Sequence, residues 1–145
     1  MSKFLEQLKR HEGFRSHMYQ CTADKTTIGY GYNLESGMTK EEAIALLDIR
    51  MHNLTVDLFN TPTWRALSPR ASRGILYNQA RASVIRNMVY NLGVAGICKF
   101  KKMWAAIEAQ DYALAADEMK DSKWARQVGS RAIELSAQMR TGSWA

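Results

Sequence analysis

The sequence changes rhythm near residue 39, from strand-like to helical, and that change restricts the fold more than any other feature. Between Phe14 and Leu34 the segments FRSHMYQ and TTIGYGYNL are rich in aromatic and β-branched residues, and the polar run CTADK divides them. Segments of that kind around a polar turn predict a small antiparallel sheet with irregular loops. Gly29 and Gly31 alternate with aromatic residues, the pattern of a strand whose backbone something must approach closely. From Thr39 onward the apolar residues recur at helical spacing. Thr39-Lys40-Glu41-Glu42 is a capping box, with Thr39 as N-cap and Glu42 reaching back. Ala43, Ile44, Leu47, Met51, Leu54 and Leu58 then form a stripe about 18 residues long, enough to bridge two lobes, before Asn60 to Pro62 ends it.

Further helix signals continue to the C-terminus. Ser68-Pro69 is an N-cap followed by proline at the first helical position. The stretch through Ile75, Leu76, Val84, Ile85, Met88 and Val89 to Gly93 reads as two helices with a break near Gly74 or Asn78. Helices follow over 97–109, 112–120, briefly after Ser122, and over 130–140 before Gly142. At the other end, residues 3–11 form a short helix with Phe4, Leu5 and Leu8 on one side, stopped at Gly13. The fold class is therefore α+β, with the sheet near the N-terminus and a mostly helical remainder.

Composition fixes the broad class. A chain of 145 residues, 46% hydrophobic and 23% charged, has one domain's worth of residues and needs no staples for its core. No apolar run approaches the roughly 18 residues of a membrane-spanning helix. The start, MSKFLEQLKRHEGF, lacks the apolar stretch of a signal peptide, so a cytoplasmic product is expected. The net charge of +6 is unevenly placed: residues 1–50 balance, whereas 51–98 carry Arg65, Arg70, Arg73, Arg81 and Arg86 against Asp57 alone. Such a chain associates faster with polyanions, whether nucleic acid, anionic lipid or cell-wall polymer. No nucleic-acid-binding motif is present, and no aromatic residues interleave with basic ones on a sheet, so nucleic acid is not the expected partner. Cys21 and Cys98 form no CxxC pair and no cluster with ligand spacing, which argues against a metal site. Cys98, in GICKF, reads as a small core residue; Cys21, in a polar run, does not.

Three polar residues lie where the first helix meets the sheet. Glu12 ends the helix, Cys21 follows after eight residues and Thr27 after five more. A carboxylic acid at a helix end, walled by packed side chains, can hold a raised pKa and donate a proton. Glycosidic cleavage needs such an acid at the leaving oxygen and a second group on the opposite face of the sugar. Spacing alone does not establish this: a helix-end Glu is usually a solvated charge, a lone Cys is usually inert, and a Thr in TTIG is usually a strand former.

The chain resembles the T-even phage lysozyme family, glycoside hydrolase family 24, over nearly its whole length. The segments that carry the resemblance are LKRHEGFRSHMYQ, TTIGYGYNL, GMTKEEAIALL, NMVYNLGVAG and MRTGSW. Members carry Glu, then Asp or Cys, then Thr at the spacing of Glu12, Cys21 and Thr27. The resemblance implies one lysozyme-like domain: an N-terminal lobe over about 12–60, a bridging helix from Thr39, and a helical C-terminal lobe over about 61–145 with helix 1–11 packed on it. It implies a muramidase acting on peptidoglycan at the β-1,4 link from N-acetylmuramic acid to N-acetylglucosamine, with no cofactor. Glu12 would keep its proton near neutral pH and give it to the departing oxygen. Thr27 would help hold the water. At the second position Cys21 replaces the more familiar Asp, and a thiol is only a few per cent thiolate at pH 7 unless its pKa is depressed, for which Lys25 is the neighbour. Cys21 thus stands as a group assisting water, a nucleophile giving a covalent intermediate, or a general base.

The same resemblance places Asn33, Tyr90 and Asn91 along the substrate cleft and Arg131 near Glu12. Tyr32 replaces a His, removing an ion pair. Met88 and Tyr90 read equally well as core, and Trp104, Trp124 and Trp144 read as packing residues. His11 reads as solvated. The implied biology is that of an endolysin: a monomer held in the host cytoplasm, reaching peptidoglycan through lesions made by a holin, with contacts to anionic wall or outer-membrane polymers. The competing readings are a lytic transglycosylase on the same bond and a non-catalytic cationic wall- or membrane-binding protein.

Overall fold

The computed structural model describes residues 1–145. The chain divides into two compact units, Met1–Leu47 and Asp48–Ala145. The first begins with α1 (Lys3–Glu12), whose N-terminus is capped by the Ser2 side chain accepting from the Leu5 amide at 3.2 Å. A three-stranded antiparallel sheet follows: β1 (Arg15–Gln20), β2 (Thr26–Gly29) and β3 (Tyr32–Asn33), in that spatial order. Thr27 faces Tyr19 on one side and Asn33 on the other, and the β1–β2 register is irregular between Arg15 and Tyr19. An irregularity of that kind bends the strand and increases its local twist. Thr27 is the buried residue of this unit, at 3% exposure. Phe14 and Tyr30 pack ring to ring at 5.4 Å, and the Lys9 ammonium lies 5.7 Å from the Tyr30 ring, which ties α1 to the sheet. A 3-10 turn over Leu34–Ser36 leads into α2 (Lys40–Phe59). The capping box forms as expected: the Thr39 amide donates to Glu42 Oε2 at 2.7 Å and the Glu42 amide to Thr39 Oγ1 at 3.1 Å.

The boundary between the units falls inside α2. The expected stripe is accordingly unequal along its length. Leu58 is buried and Met51 and Leu54 pack against the core, whereas Ile44 and Leu47 are exposed. The core cluster lies wholly within the second unit, and only the later half of α2 reaches it.

In the second unit come α3 (Pro62–Arg65), α4 (Pro69–Leu76), α5 (Gln79–Cys98), α6 (Lys101–Glu108), α7 (Tyr112–Lys120), α8 (Lys123–Val128) and α9 (Ser130–Thr141). Ser68 caps α4 as the Ser-Pro pair predicts, and Thr61-Pro62 starts α3 in the same way. The break after α4 falls at Asn78 rather than Gly74, because Asn78 Oδ1 accepts from the Arg81 amide at 2.9 Å and opens α5. Gly93, expected to end that helix, instead kinks it: φ is +76° there, which only glycine takes without strain, and the chain resumes helical geometry to Cys98. The expected helix over 97–109 is thus divided at Lys99–Phe100.

Leu58, Ile75, Val84, Met88, Val89, Ile97, Met103, Ile107, Met119 and Met139 are almost wholly buried. Each contributes about 1.5–3 kcal/mol of burial. Trp64 stacks on Phe59 at 4.6 Å and meets Trp104 edge-on at 6.1 Å, while Trp104 Nε1 donates to Ile97 O at 3.0 Å. Trp104 and Trp124 are therefore packing residues, but Trp144 is 65% exposed, contrary to expectation. It lies beyond α9, past Gly142, where no helix face directs it inward. No helix is long and apolar enough to cross a membrane.

Candidate active site

Glu12 is the last residue of α1, and its carboxyl lies against the backbone of Gly31 in the β2–β3 turn. A Cβ added at Gly31 would stand 3.1 Å from Glu12 Cδ and closer still to Oε2. Gly31 has φ of +74°, so glycine is required twice, by its conformation and by the carboxyl above it. The close approach that the alternating glycines imply is thus made by the acid itself. Glu12 is exposed, so its shelter is this one backbone wall and not the enclosed surroundings expected from the sequence.

Gly31 also lines a groove of about 470 Å³ beside β3, together with Tyr32, Asn33, Gly37, Met38 and Glu42. The Tyr32 hydroxyl donates to the Gly37 carbonyl and fastens the loop across it. Asn33 Oδ1 accepts from the Glu35 amide at 3.0 Å, capping the 3-10 turn, and leaves its NH₂ group as the free donor.

Cys21 opens the β1–β2 turn. Its amide donates to Lys25 O at 3.0 Å, and the Asp24 amide donates to Cys21 O at 2.8 Å, closing a tight loop in which Asp24 has φ of +57°. The loop turns backbone amides toward the sulfur. Hydrogen bonds from the Lys25 and Ala23 amides hold the thiol below its ordinary value, with smaller help from the Thr27 hydroxyl and the Cys21 amide, while burial opposes them. The expected influence of Lys25 is therefore exerted by its amide. Its ammonium is engaged elsewhere, 3.5 Å from Glu35 Oε2. The Thr27 hydroxyl donates to Lys25 O at 2.8 Å; its single hydrogen has two claimants, that carbonyl and the sulfur. The fold thus brings Cys21 and Thr27 together at one end of β2 and Glu12 to Gly31 at the other.

Alkylation of Cys21 by iodoacetamide, followed on its own peptide to separate it from Cys98, should show a midpoint below the roughly 8.5 of free cysteine. Thr27→Val should raise that midpoint by less than half of the displacement, because the backbone amides dominate. A midpoint at or above that of free cysteine would contradict the arrangement.

The remaining residues named from the sequence lie in the second unit. Tyr90 is 48% exposed on α5 and is not a core residue, whereas Met88 is fully buried. Asn91 Oδ1 accepts from Trp124 Nε1 at 2.8 Å, so half of its amide is spent on holding α8. Arg131 Nε donates to Asn87 Oδ1 at 2.8 Å, a partner the sequence reading did not include. Arginine beside asparagine on separate helices leaves no local motif to find it by. Gly31 and the Ala23 and Lys25 amides were likewise missing from the sequence-derived site, although the glycine alternation pointed toward the first.

Residues 9–140 match the family described as Phage lysozyme. "Probable T4-type lysozyme 2" of Dictyostelium discoideum is 26% identical, over 99% of this chain and 96% of its own length. An "Endolysin" of Acyrthosiphon pisum secondary endosymbiont phage 1 is 30% identical, over 86% of this chain and 78% of its own. The "Pre-baseplate central spike protein Gp5" of Enterobacteria phage T4 is 26% identical over 95% of this chain, which corresponds to only 28% of that longer protein. The match runs through the α1–sheet segment and on through the helices, and on that extent the chain belongs to the phage lysozyme family.

Proposed function

We propose that this protein is an endolysin-type muramidase that hydrolyses the β-1,4 bond between N-acetylmuramic acid and N-acetylglucosamine in peptidoglycan. Membership of the phage lysozyme family supports the coarser statement, a lysozyme-type glycosidase acting on the cell wall. The observation that carries the finer one is the seating of the Glu12 carboxyl on Gly31, a residue that also lines the β3 groove. A carboxylic acid seated on a residue of a groove, beside a small sheet that also holds a hydrogen-bonded sulfur and hydroxyl, fits what glycosidic cleavage requires.

In this mechanism a sugar lies along β3, oriented by the free NH₂ of Asn33. Glu12 donates its proton to the bridging oxygen as the C1–O bond breaks, and positive charge builds on the muramic ring. Water adds to C1, its hydrogens held by Cys21 Sγ and Thr27 Oγ1, and its surplus proton returns to the Glu12 carboxylate through solvent. Lysis of a phage host from within, by way of a holin lesion, is the setting we propose.

Identification of the sugar ends released from purified peptidoglycan tests the reaction. Reducing muramic acid ends are expected, and Cys21→Ser should retain part of the activity, since serine can still hold the water. Termini of the 1,6-anhydro type would replace hydrolysis by transglycosylation. Intact wall after prolonged incubation would overturn the enzymatic reading altogether.

A further inference from the structure

We infer that the exposed face of α4 is a second binding site on the same polymer, one that takes the carboxylates of the peptide stems carried by the glycan. The inference rests on the proposed substrate but uses none of the residues of the candidate active site.

Arg70, Arg73 and Tyr77 recur at i, i+3 and i+7 along α4 and its C-cap, and so share one face of the helix. Together with Pro69, Gly74 and Gln110 they line an open groove of about 740 Å³. Tyr77 is 81% exposed, the most exposed aromatic side chain of the molecule. The three ion pairs of the chain lie elsewhere, and neither arginine side chain makes a hydrogen bond. A nearby carboxylate, that of Glu108, is engaged by the Ser68 amide at 2.9 Å. Gly74 has no room for a side chain, because an added Cβ would strike the Tyr112 hydroxyl and stand 2.9 Å from Gln110 Nε2. The floor of the groove therefore stays at backbone level between the two arginines and the ring.

Two unpaired guanidinium groups and an exposed ring make a specific combination. Each guanidinium presents a planar fork that matches a carboxylate with two parallel hydrogen bonds. The flat ring offers an apolar surface with a polar tip, suited to the face of a sugar. The substrate carries both, acidic stems on a glycan strand. The arginine excess of residues 51–98 is thus explained in part by contact as well as by long-range attraction. A second foothold lets the protein remain on an insoluble wall between cleavage events.

Pelleting with purified sacculi, in a Glu12→Gln background so that the wall stays intact, tests this directly. Arg70→Gln/Arg73→Gln should bind about tenfold more weakly at low salt, as expected for two partly exposed charged contacts, and should show a shallower salt dependence. Arg70→Lys/Arg73→Lys, which keeps the charge but loses the fork, should fall between. On sacculi stripped of stems by an amidase the variants and the parent should bind equally. In an otherwise wild-type background, the double variant should cleave short peptide-free glycan at the parental rate. Equal binding to intact sacculi, an undiminished difference on stripped sacculi, or a loss seen only on phosphatidylglycerol vesicles would each overturn the inference. Failure of the parent enzyme to cleave any glycan would count against the muramidase reading and leave the pelleting comparison intact.

Discussion

Glu12→Gln should lower turnover on purified peptidoglycan by about 10² to 10⁴ while leaving the thermal midpoint within a degree or two. The amide keeps the shape of the acid but has no proton to give. Within its unit the Glu12 carboxyl accepts no hydrogen bond and joins no ion pair, so little stability depends on its charge. It sits at the end of α1, after the last turn has been closed by the Gly13 amide donating to Lys9 O at 3.0 Å. Loss of activity without loss of fold separates a chemical role from a structural one. A variant retaining half or more of the parental rate would mean that the proton comes from another group.

Gly31→Ala should be nearly as damaging through a different cause. The new methyl would occupy the place of Glu12 Oε2 and would add strain at φ of +74°. The strain costs roughly 1–2 kcal/mol. The collision is relieved cheaply, because Glu12 is an exposed and flexible side chain that can swing aside. That same relief moves the acid from its place, and a displacement of about 1 Å from a reacting geometry can cost on the order of 10²-fold. We expect kcat to fall by about that factor with a modest decrease in stability. Parental kcat, measured by the release of reducing ends, would show that the Gly31 wall does not position the acid.

The two variants illustrate how unevenly the site could be read beforehand. The capping box at Thr39, the Ser68-Pro69 start and the sheet before residue 35 were legible because each depends on residues close together in sequence. Glu12, Cys21 and Thr27 were legible only through resemblance, since a glutamate at a helix end or a threonine in a strand is ordinary by itself. What depresses the Cys21 thiol was not legible at all. Lys25 invites an explanation from its charge, but the backbone amides of the turn act on the sulfur, and the turn conformation does not appear in side-chain identities. Gly93 misled for a related reason: glycine at positive φ most often ends a helix, and here packing of Val94 and Ile97 into the core carries the chain back into helix beyond it. Trp144 misled because an aromatic residue near helices is usually buried, and this one lies past the last of them.

The most direct test of the central claim follows the oxygen of water. Purified peptidoglycan digested in ¹⁸O-labelled water by the parent protein and by Glu12→Gln would be analysed by mass spectrometry at its newly formed ends. The mechanism predicts one labelled oxygen at C1 of each new muramic acid terminus with the parent, and at most a trace of such ends with the variant. Unlabelled or anhydro termini, or equal labelling by both proteins, would contradict it.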